Sequence, residues 1–245
     1  MSVWSPLRAT LREMRRQGCA LPIWWRDDDA VAATPALERL TRLSVRLRVP
    51  VHLAVIPGAL EGSLAPFIAD TPALVPVVHG WRHVNHAPEG AKKAEFGHPR
   101  AAAPEELEAG LATLRAAFGT RTMPMFVPPW NRLTPSLMPD IATAGYAAVS
   151  TYGPRETSPP APGITQINTH IDPIDWRGTR GLVDQTTLVA RLTATVRARL
   201  TKQADATEPL GLLTHHLVHT PEVWDFAERC LAELLDGGAE VARVI

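Results

Sequence analysis

The sequence has few cysteines and no excess of charge of either sign. Lys+Arg and Asp+Glu number 25 each among 245 residues, so the formal net charge is 25 − 25 = 0. A neutral chain gives no electrostatic reason to expect nucleic acid or an anionic membrane surface as a partner. The two cysteines, Cys19 and Cys230, lie far apart and in no metal-binding spacing. We therefore expect two reduced thiols in a cytoplasmic protein rather than a structural disulfide.

Long apolar runs and a glycine-rich nucleotide loop are also missing. Residues 1–18 alternate charged with apolar side chains, unlike a signal peptide. No later segment approaches the ~18 uncharged apolar residues of a membrane span, so we expect no membrane association. Because no Gly-rich loop follows the first apolar run, a doubly wound nucleotide-binding sheet is the less favoured alternative. No linker divides the chain, and we expect one domain over 1–245 with an N-terminal helix at about 5–18.

Seven short apolar runs predict the strands. Most are apolar throughout rather than alternating, which is typical of parallel strands that are covered on both faces. The runs lie at 21–26, 50–56, 73–79, 123–127, 146–150, 164–169 and 210–214. Helical patterns lie between them, so the sequence predicts an α/β fold of about seven parallel strands, a (β/α) barrel or a related parallel arrangement.

Hydroxyl–proline pairs mark the predicted helix starts. Each places a capping side chain before a proline at the first helical position. The pairs are Ser5-Pro6, Thr34-Pro35, Thr134-Pro135 and Thr220-Pro221. A further helix near 104–118 has one apolar face and stops at Gly119. The loop 80–103 and the Pro-rich connection 152–163 interrupt the pattern, and loops this long are usually functional or mobile.

The first candidate functional residues form two clusters, which directly follow the first and third apolar runs. Residues 27–29 are three adjacent aspartates, which a fold accepts only with a cation, with solvent or with raised pKa values. A solvated acidic turn is the alternative. His79 and His83 are spaced so that both could bind one metal from a strand end and the turn after it. His86 makes three histidines within eight residues, and a hydrogen-bonded loop cluster is the alternative there.

Three more clusters follow later strands. Residues 126–132 contain two prolines and an aromatic, and a rigid backbone suits an oxyanion-binding N–H, although a plain turn is the alternative. Residues 168–176 combine polar and aromatic groups, and 212–219 contain three histidines. All five clusters follow predicted strands, and in a parallel barrel those strand ends share one face. We therefore predict a metal site at that face.

These motifs resemble those of the polysaccharide deacetylase family of carbohydrate esterases, in a divergent form, from the first strand to the C-terminus. That family folds as a distorted (β/α) barrel. Its first motif, Thr-Phe-Asp-Asp-Gly, supplies a base and then a metal ligand, which Asp28 and Asp29 match. Asp27 and Asp28 are the alternative register. The second motif, His-x-x-x-His, matches His79 and His83 and implies two metal ligands.

The third family motif is only partly present. Pro129 and Trp130 match its Pro-aromatic pair, but Val127 stands where the family has an Arg that orients the catalytic Asp. Arg26 or Arg132 could take its place. This departure means that a polysaccharide substrate does not follow from the resemblance alone.

The fourth and fifth motifs are short. Asp-x-x-Asp-Trp is met by Asp172, Asp175 and Trp176, and Leu-x-His is met by Leu213 and His215. The resemblance implies a metal-dependent hydrolase that removes an acetyl or other acyl group from an amine. The expected substrate is an N-acetylated sugar or a related small molecule.

In the mechanism that the resemblance implies, Asp29, His79 and His83 bind one divalent metal. Zinc suits this ligand set first, and Co²⁺, Ni²⁺ or Fe²⁺ would also fit. Asp28 acts as the base, and His215 protonates the leaving amine.

The remaining motif residues receive binding or supporting roles. The Trp130 N–H helps to hold the oxyanion, and Trp176 forms a wall of the acyl pocket. By strand alternation His216 points away from the site, and His219 is expected on the rim. The residues expected in support are Arg26, Asp27, His86, Arg132, Asp172 and Asp175.

Two other functions stay open at this point. One is a metal-dependent amidohydrolase acting on a small non-sugar amide. The other is a catalytically silent barrel that binds a saccharide or metabolite, and the missing Arg at Val127 favours it.

Overall fold

The fold alternates short strands with helices. The computed structural model describes residues 2–156 and 160–244. The strands in this range are β1 (Pro22–Ala30), β2 (Val51–Val55), β3 (Leu74–His79), β4 (Met125–Val127), β5 (Ala148–Val149), β6 (Thr165–Gln166), β7 (Leu210–Thr214) and β8 (Glu240–Val241). The α-helices are α1 (Ser5–Arg16), α2 (Pro35–Leu47), α3 (Leu64–Ala69), α4 (Ala103–Phe118), α5 (Met138–Thr143), α6 (Gln185–Leu200) and α7 (Pro221–Asp236).

All paired strands run parallel, in the order β6-β5-β4-β3-β2-β1-β7, and β8 adds to β1. The chain beyond β6 carries the sheet back to its other edge, because Thr169 pairs with Tyr152 and Ile171 pairs with Leu212 of β7. The result is a distorted α/β barrel, which confirms the predicted fold class. The sequence gives no sign of β8, because a two-residue strand is too short to show periodicity.

Each of the seven predicted strands is present, and β7 has its predicted bounds. The largest difference is in β1, which was expected to end at Arg26 and instead continues through the three aspartates to Ala30. Asp27 is fully buried and Asp28 is 2% exposed. The solvated acidic turn is therefore excluded as an interpretation of the triplet.

Alternation along the strands builds two apolar cores. The core that packs against the helices includes Trp25, Leu53, Val78 and Phe126. The core inside the barrel includes Trp24, Ala54, Val77, Val127 and Val244. Because alternate residues of a strand share a face, Arg26 and Asp28 lie on the inner face with Trp24.

Two of the four predicted helix caps form. The Thr34 and Thr220 side chains accept the backbone N–H of the third residue beyond them. The other two predictions were wrong. Ser5 is already the first residue of α1, and Thr134 precedes only the 3₁₀ turn Pro135–Leu137; neither site has a side-chain capping bond. The predicted stop of α4 at Gly119 is confirmed.

Both cysteines are free, Cys19 exposed and Cys230 buried. Among the described residues, no helix combines the length and apolar composition that a membrane crossing needs. Cytoplasmic location stays a prediction. Within the Pro-rich connection predicted at 152–163, residues 157–159 lie outside the described residues.

Candidate metal centre

A bulge at the end of β1 brings two adjacent aspartates to the same side. In a regular strand neighbouring side chains point to opposite faces. Here the β1–β2 register shifts between Asp27 and Ala30, and Asp29 has φ 74°, in the left-handed region. The bulge turns the Asp29 carboxylate toward β3, beside the inward-facing Asp28.

Asp29 contacts two histidines. Its Oδ1 lies 3.1 Å from Nε2 of His79 and 3.3 Å from Nε2 of His83. His79 ends β3, and its Nδ1 lies 3.1 Å from the carbonyl oxygen of Val127. An Nδ1–H donated to this carbonyl fixes the ring and directs Nε2 at Asp29, as is usual for metal-binding histidines.

The donor set fits a divalent metal. Metal–ligand bonds of about 2.0–2.2 Å at tetrahedral angles place ligand atoms roughly 3.3 Å apart. The two distances from Asp29 Oδ1 match this value, and all three ligand atoms lie within 4.8 Å of one another. One carboxylate and two imidazoles suit Zn²⁺, with Co²⁺, Ni²⁺ and Fe²⁺ as alternatives.

Charges in the cluster also favour a cation. Burial raises the pKa of Asp29, but the bond from His79 and the histidine charges lower it more, so the pKa falls below its usual value. Burial lowers the pKa of His79, but Asp28 and Asp29 raise it above its usual value. Burial and the neighbouring His79 lower the pKa of His83. A positive charge next to the carboxylates would therefore stabilise them, and a divalent cation would supply it.

Asp28 is held by Arg26. The Nε and Nη2 of Arg26 each lie 2.9 Å from one oxygen of Asp28. The fully buried guanidinium also donates to Ser150 Oγ at 2.7 Å and to Asn131 Oδ1 at 2.6 Å. Of the two arginines that could replace the one missing at Val127, Arg26 is therefore the one on Asp28.

Asp27 belongs to a separate buried pair. His216 Nδ1 lies 2.5 Å from its Oδ1, and its Oδ2 accepts the His216 N–H at 3.0 Å and the Thr214 hydroxyl at 2.6 Å. Burial raises the pKa of Asp27, but the His216 charge and hydrogen bond bring it below its usual value. Asp29 is the aspartate within metal-ligand distance of His79 and His83, and Asp27 lies on the opposite face of β1 from Asp28, so the geometry favours the Asp28–Asp29 register.

His215 lies directly after β7 and is 8% exposed. Trp176 meets its ring edge-on, with 4.7 Å between centroids. Asp172 accepts the Trp176 Nε1–H at 2.7 Å. Burial raises the pKa of Asp172 despite the lowering effect of the His215 charge, and His215 also acts on the pKa of Asp29. Because Thr214 of β7 pairs with Asp27 of β1, His215 comes beside the end of β1 that carries Asp28 and Asp29.

Trp130 follows the double proline with φ 56°. Its ring lies over His83, with 4.3 Å between centroids. The left-handed backbone directly after the two prolines gives a fixed turn beside the cluster. His219, expected on the rim, is half-buried, and its Nε2 accepts the His215 N–H at 3.1 Å.

Three residues expected in support are not brought to the cluster. Arg132 donates to the Lys93 carbonyl oxygen. His86 is exposed on its loop. Asp175 accepts the N–H of Gly178 within its own turn.

Sequence reasoning also missed three residues that contact the site or its supports. Ser150 and Asn131 fix Arg26, and Glu95 binds the turn that carries His83. Asn131 lies in the predicted strand-end cluster 126–132, so the sequence did indicate that it would be near the site. Nothing in the local sequence marks Ser150 or Glu95.

Comparison with solved structures identifies the fold. A CE4 esterase from Streptococcus mutans has a TM-score of 0.61 at 12% identity, covering 96% of this chain and 89% of that chain. A family 4 carbohydrate esterase from Streptomyces lividans, in complex with acetate, has a TM-score of 0.58 at 13% identity, covering 93% and 94%. A CE4 family pseudoenzyme from Bacillus anthracis has a TM-score of 0.57 at 13% identity, covering 92% and 64%.

These similarities confirm the resemblance to polysaccharide deacetylases at the level of the fold. At identities of 12–13% they establish the fold alone. No model of a known family matches the sequence, and no curated protein matches it. The chemistry of the site must therefore be argued from its own residues.

Proposed function

We propose that the protein is a metal-dependent deacetylase that removes the acetyl group of an N-acetylated saccharide. One observation carries the proposal. A carboxylate and two imidazoles with metal-ligand spacing lie beside a second, arginine-held carboxylate, Asp28. A third imidazole, His215, follows β7 where that strand pairs with the same end of β1. The likeness in fold to carbohydrate esterases supports the substrate class.

Asp29, His79 and His83 would hold the metal, with zinc as the preferred ion. When bound, a divalent metal supplies Lewis acidity and lowers the pKa of water in the site. The Nδ1–H···O bond from His79 to the backbone keeps its ring in the orientation that binding needs.

Asp28 accepts the proton of the attacking water. Its two bonds from Arg26 hold the carboxylate in one orientation. Each carboxylate oxygen has more than one lone-pair site, so both oxygens keep the capacity to accept a proton from water. Arg26 is in turn fixed by Ser150 and Asn131, so the base is preorganised.

His215 donates a proton to the leaving nitrogen. An amine leaves poorly unless it is protonated, and an imidazole is suited to this transfer near neutral pH. The contact with Trp176 restricts the His215 ring. The Trp176 indole would form a wall of the acyl pocket. The Trp130 N–H, on a turn fixed by prolines, donates to the developing oxyanion.

A catalytically silent barrel is the second candidate, because a pseudoenzyme shares this fold and Val127 replaces the family's arginine. The Arg26–Asp28 pair weighs against it, since it supplies the orientation that the missing arginine would give. Hydrolysis of a small non-sugar amide would use the same groups and differ only in what the rim accepts.

A measurement of acetate release distinguishes the saccharide deacetylase, the amidohydrolase and the silent barrel. Zinc-loaded protein is incubated with N-acetylated sugars, their oligomers and simple N-acetyl amides, with Asp29→Asn as the matched control. We expect release from the saccharides and none with the control. Release from simple amides alone would favour the amidohydrolase, and saccharide binding without release would favour the silent barrel.

A further inference from the structure

Glu95 is a buried carboxylate in the loop between β3 and α4, only 1% exposed. Its oxygens accept three backbone N–H groups: those of Trp81 at 3.0 Å, Arg82 at 2.8 Å and Val84 at 3.4 Å. In the described part of the chain, these backbone donors are the hydrogen-bond partners of its side chain. An interior carboxylate with no cation partner is costly unless such donors satisfy it.

The three donors surround His83 in sequence. His83 itself has φ 58°, the left-handed region that a residue with a side chain rarely adopts. A strained backbone of this kind persists only where the surroundings fix it. Glu95 bonds the turn on both sides of His83 and so holds it in the conformation that presents Nε2 to Asp29.

Gly80 leaves room for this carboxylate. It has φ 57°, and a Cβ at this position would lie 2.2 Å from Glu95 Oε2 and 2.5 Å from Pro129 Cδ. The backbone just after His79 therefore needs glycine both for its conformation and for the approach of Glu95.

The loop is folded back so that Glu95 reaches the turn. Asn85 Oδ1 accepts the N–H of Ala94 at 2.9 Å, and the His86 N–H donates to the Ala94 carbonyl at 2.8 Å. The residue after Glu95, Phe96, is fully buried against Phe126 of β4 and so anchors this part of the loop in the core. Glu95 is thus fixed from both sides.

We propose that Glu95 is a positioning residue for the metal centre, preorganising His83 as a ligand from beneath its turn. This inference rests on the proposed function, since it assigns Glu95 to the metal site described above. Residues that orient a metal ligand typically contribute about 10–100-fold to metal affinity or activity.

The test is Glu95→Gln, which keeps the size of the side chain but turns an amide donor toward backbone donors. Glu89→Gln, in an exposed part of the same loop, is the matched control. Zinc affinity is measured by competition with a chromophoric chelator, without substrate. The absorption spectrum of the Co²⁺-loaded protein reports the ligand geometry, and thermal unfolding of the metal-free protein reports the fold.

We expect Glu95→Gln to bind zinc about 10–100-fold more weakly and to alter the Co²⁺ spectrum, while Glu89→Gln matches wild type. Wild-type zinc affinity and an unchanged Co²⁺ spectrum in Glu95→Gln would overturn the inference and leave the proposed function intact. Equal weakening in both variants would also overturn it. Wild-type protein that binds no zinc would instead overturn the proposed function itself.

Discussion

Arg26 and Asp28 pair within a single strand, with two 2.9 Å bonds between the guanidinium and the carboxylate. Residues two apart in a strand share a face, so β1 supplies both the candidate base and the group that orients it. Both side chains are buried, at 0% and 3% exposure. Removing either partner would leave an unpaired buried charge, which typically costs about 3–5 kcal/mol of stability.

Arg26→Lys tests this pairing without removing the charge. Lysine cannot form the two-pronged bond to a carboxylate, so Asp28 should lose its fixed orientation. We expect kcat for acetate release to fall about 10–100-fold, with bound zinc unchanged. Arg132→Lys is the matched control, because within residues 2–156 and 160–244 that side chain bonds only the Lys93 carbonyl. A larger loss from Arg132→Lys would show that Arg132 orients the base.

The aspartate triplet should divide into three distinct roles. Asp28→Asn should abolish turnover and keep the metal, because the base is lost but the ligands stay. Asp29→Asn should lose the metal as well. Asp27→Asn should weaken mainly the fold, because its partners are His216 and Thr214. Metal content and thermal unfolding are measured for all three. If Asp28→Asn lost the metal and Asp27→Asn lost turnover but kept the metal, the functional pair would be Asp27 and Asp28.

His215→Ala should lower kcat for an amide by about 10²–10⁴-fold while zinc stays bound. The loss should shrink for an activated aryl ester, because its leaving group needs no protonation. His219→Ala is the control. Its ring lies on Trp224, and among the described residues its side chain bonds only the backbone N–H of His215. An equal loss on amide and aryl ester would rule out the acid role for His215.

Acid should destabilise the protein through His52. Burial lowers its pKa from 6.5 to about 4, although the bond of its Nδ1 to the Trp25 carbonyl opposes the shift. Between these values the unfolded chain binds a proton that the folded protein does not. The free energy of unfolding therefore falls as pH drops from 6.5 toward 4, by up to about 3 kcal/mol.

Urea unfolding of His52→Leu at about pH 7 and about pH 4.5 checks this effect. The variant should lose less stability on acidification than wild type does. His86→Leu, at an exposed position, should keep the wild-type dependence. If the free energy of unfolding fell equally in His52→Leu and wild type, His52 would not be the cause of the acid destabilisation.

The sequence revealed the strands and the strand-end clusters because both depend on local patterns. Apolar runs marked all seven barrel strands, and His79 and Asp29 were placed at one face through the parallel arrangement alone. The departure from the family's third motif at Val127 was also visible. Arg26 and Arg132 were both candidates to replace the missing arginine.

The arginine contact, the β1 bulge and the role of Glu95 could not be predicted, because they depend on contacts between distant parts of the chain. Which of the two arginines contacts Asp28 depends on where the loop after β4 runs, because that loop brings Asn131 to Arg26 and turns Arg132 toward Lys93. The bulge that turns Asp29 toward the histidines has no sequence signature beyond the triplet itself. Glu95 could not be recognised, because a lone loop glutamate shows its role only once the loop folds back.

Metal content tests the central claim most directly. Zinc-loaded wild type and His83→Ala are freed of excess metal by gel filtration and measured by elemental analysis. Wild type should retain close to one zinc per chain, and His83→Ala should lose most of it, because two remaining ligands bind zinc poorly. Wild type that retains no metal, or His83→Ala that retains as much as wild type, would contradict a centre built from Asp29, His79 and His83.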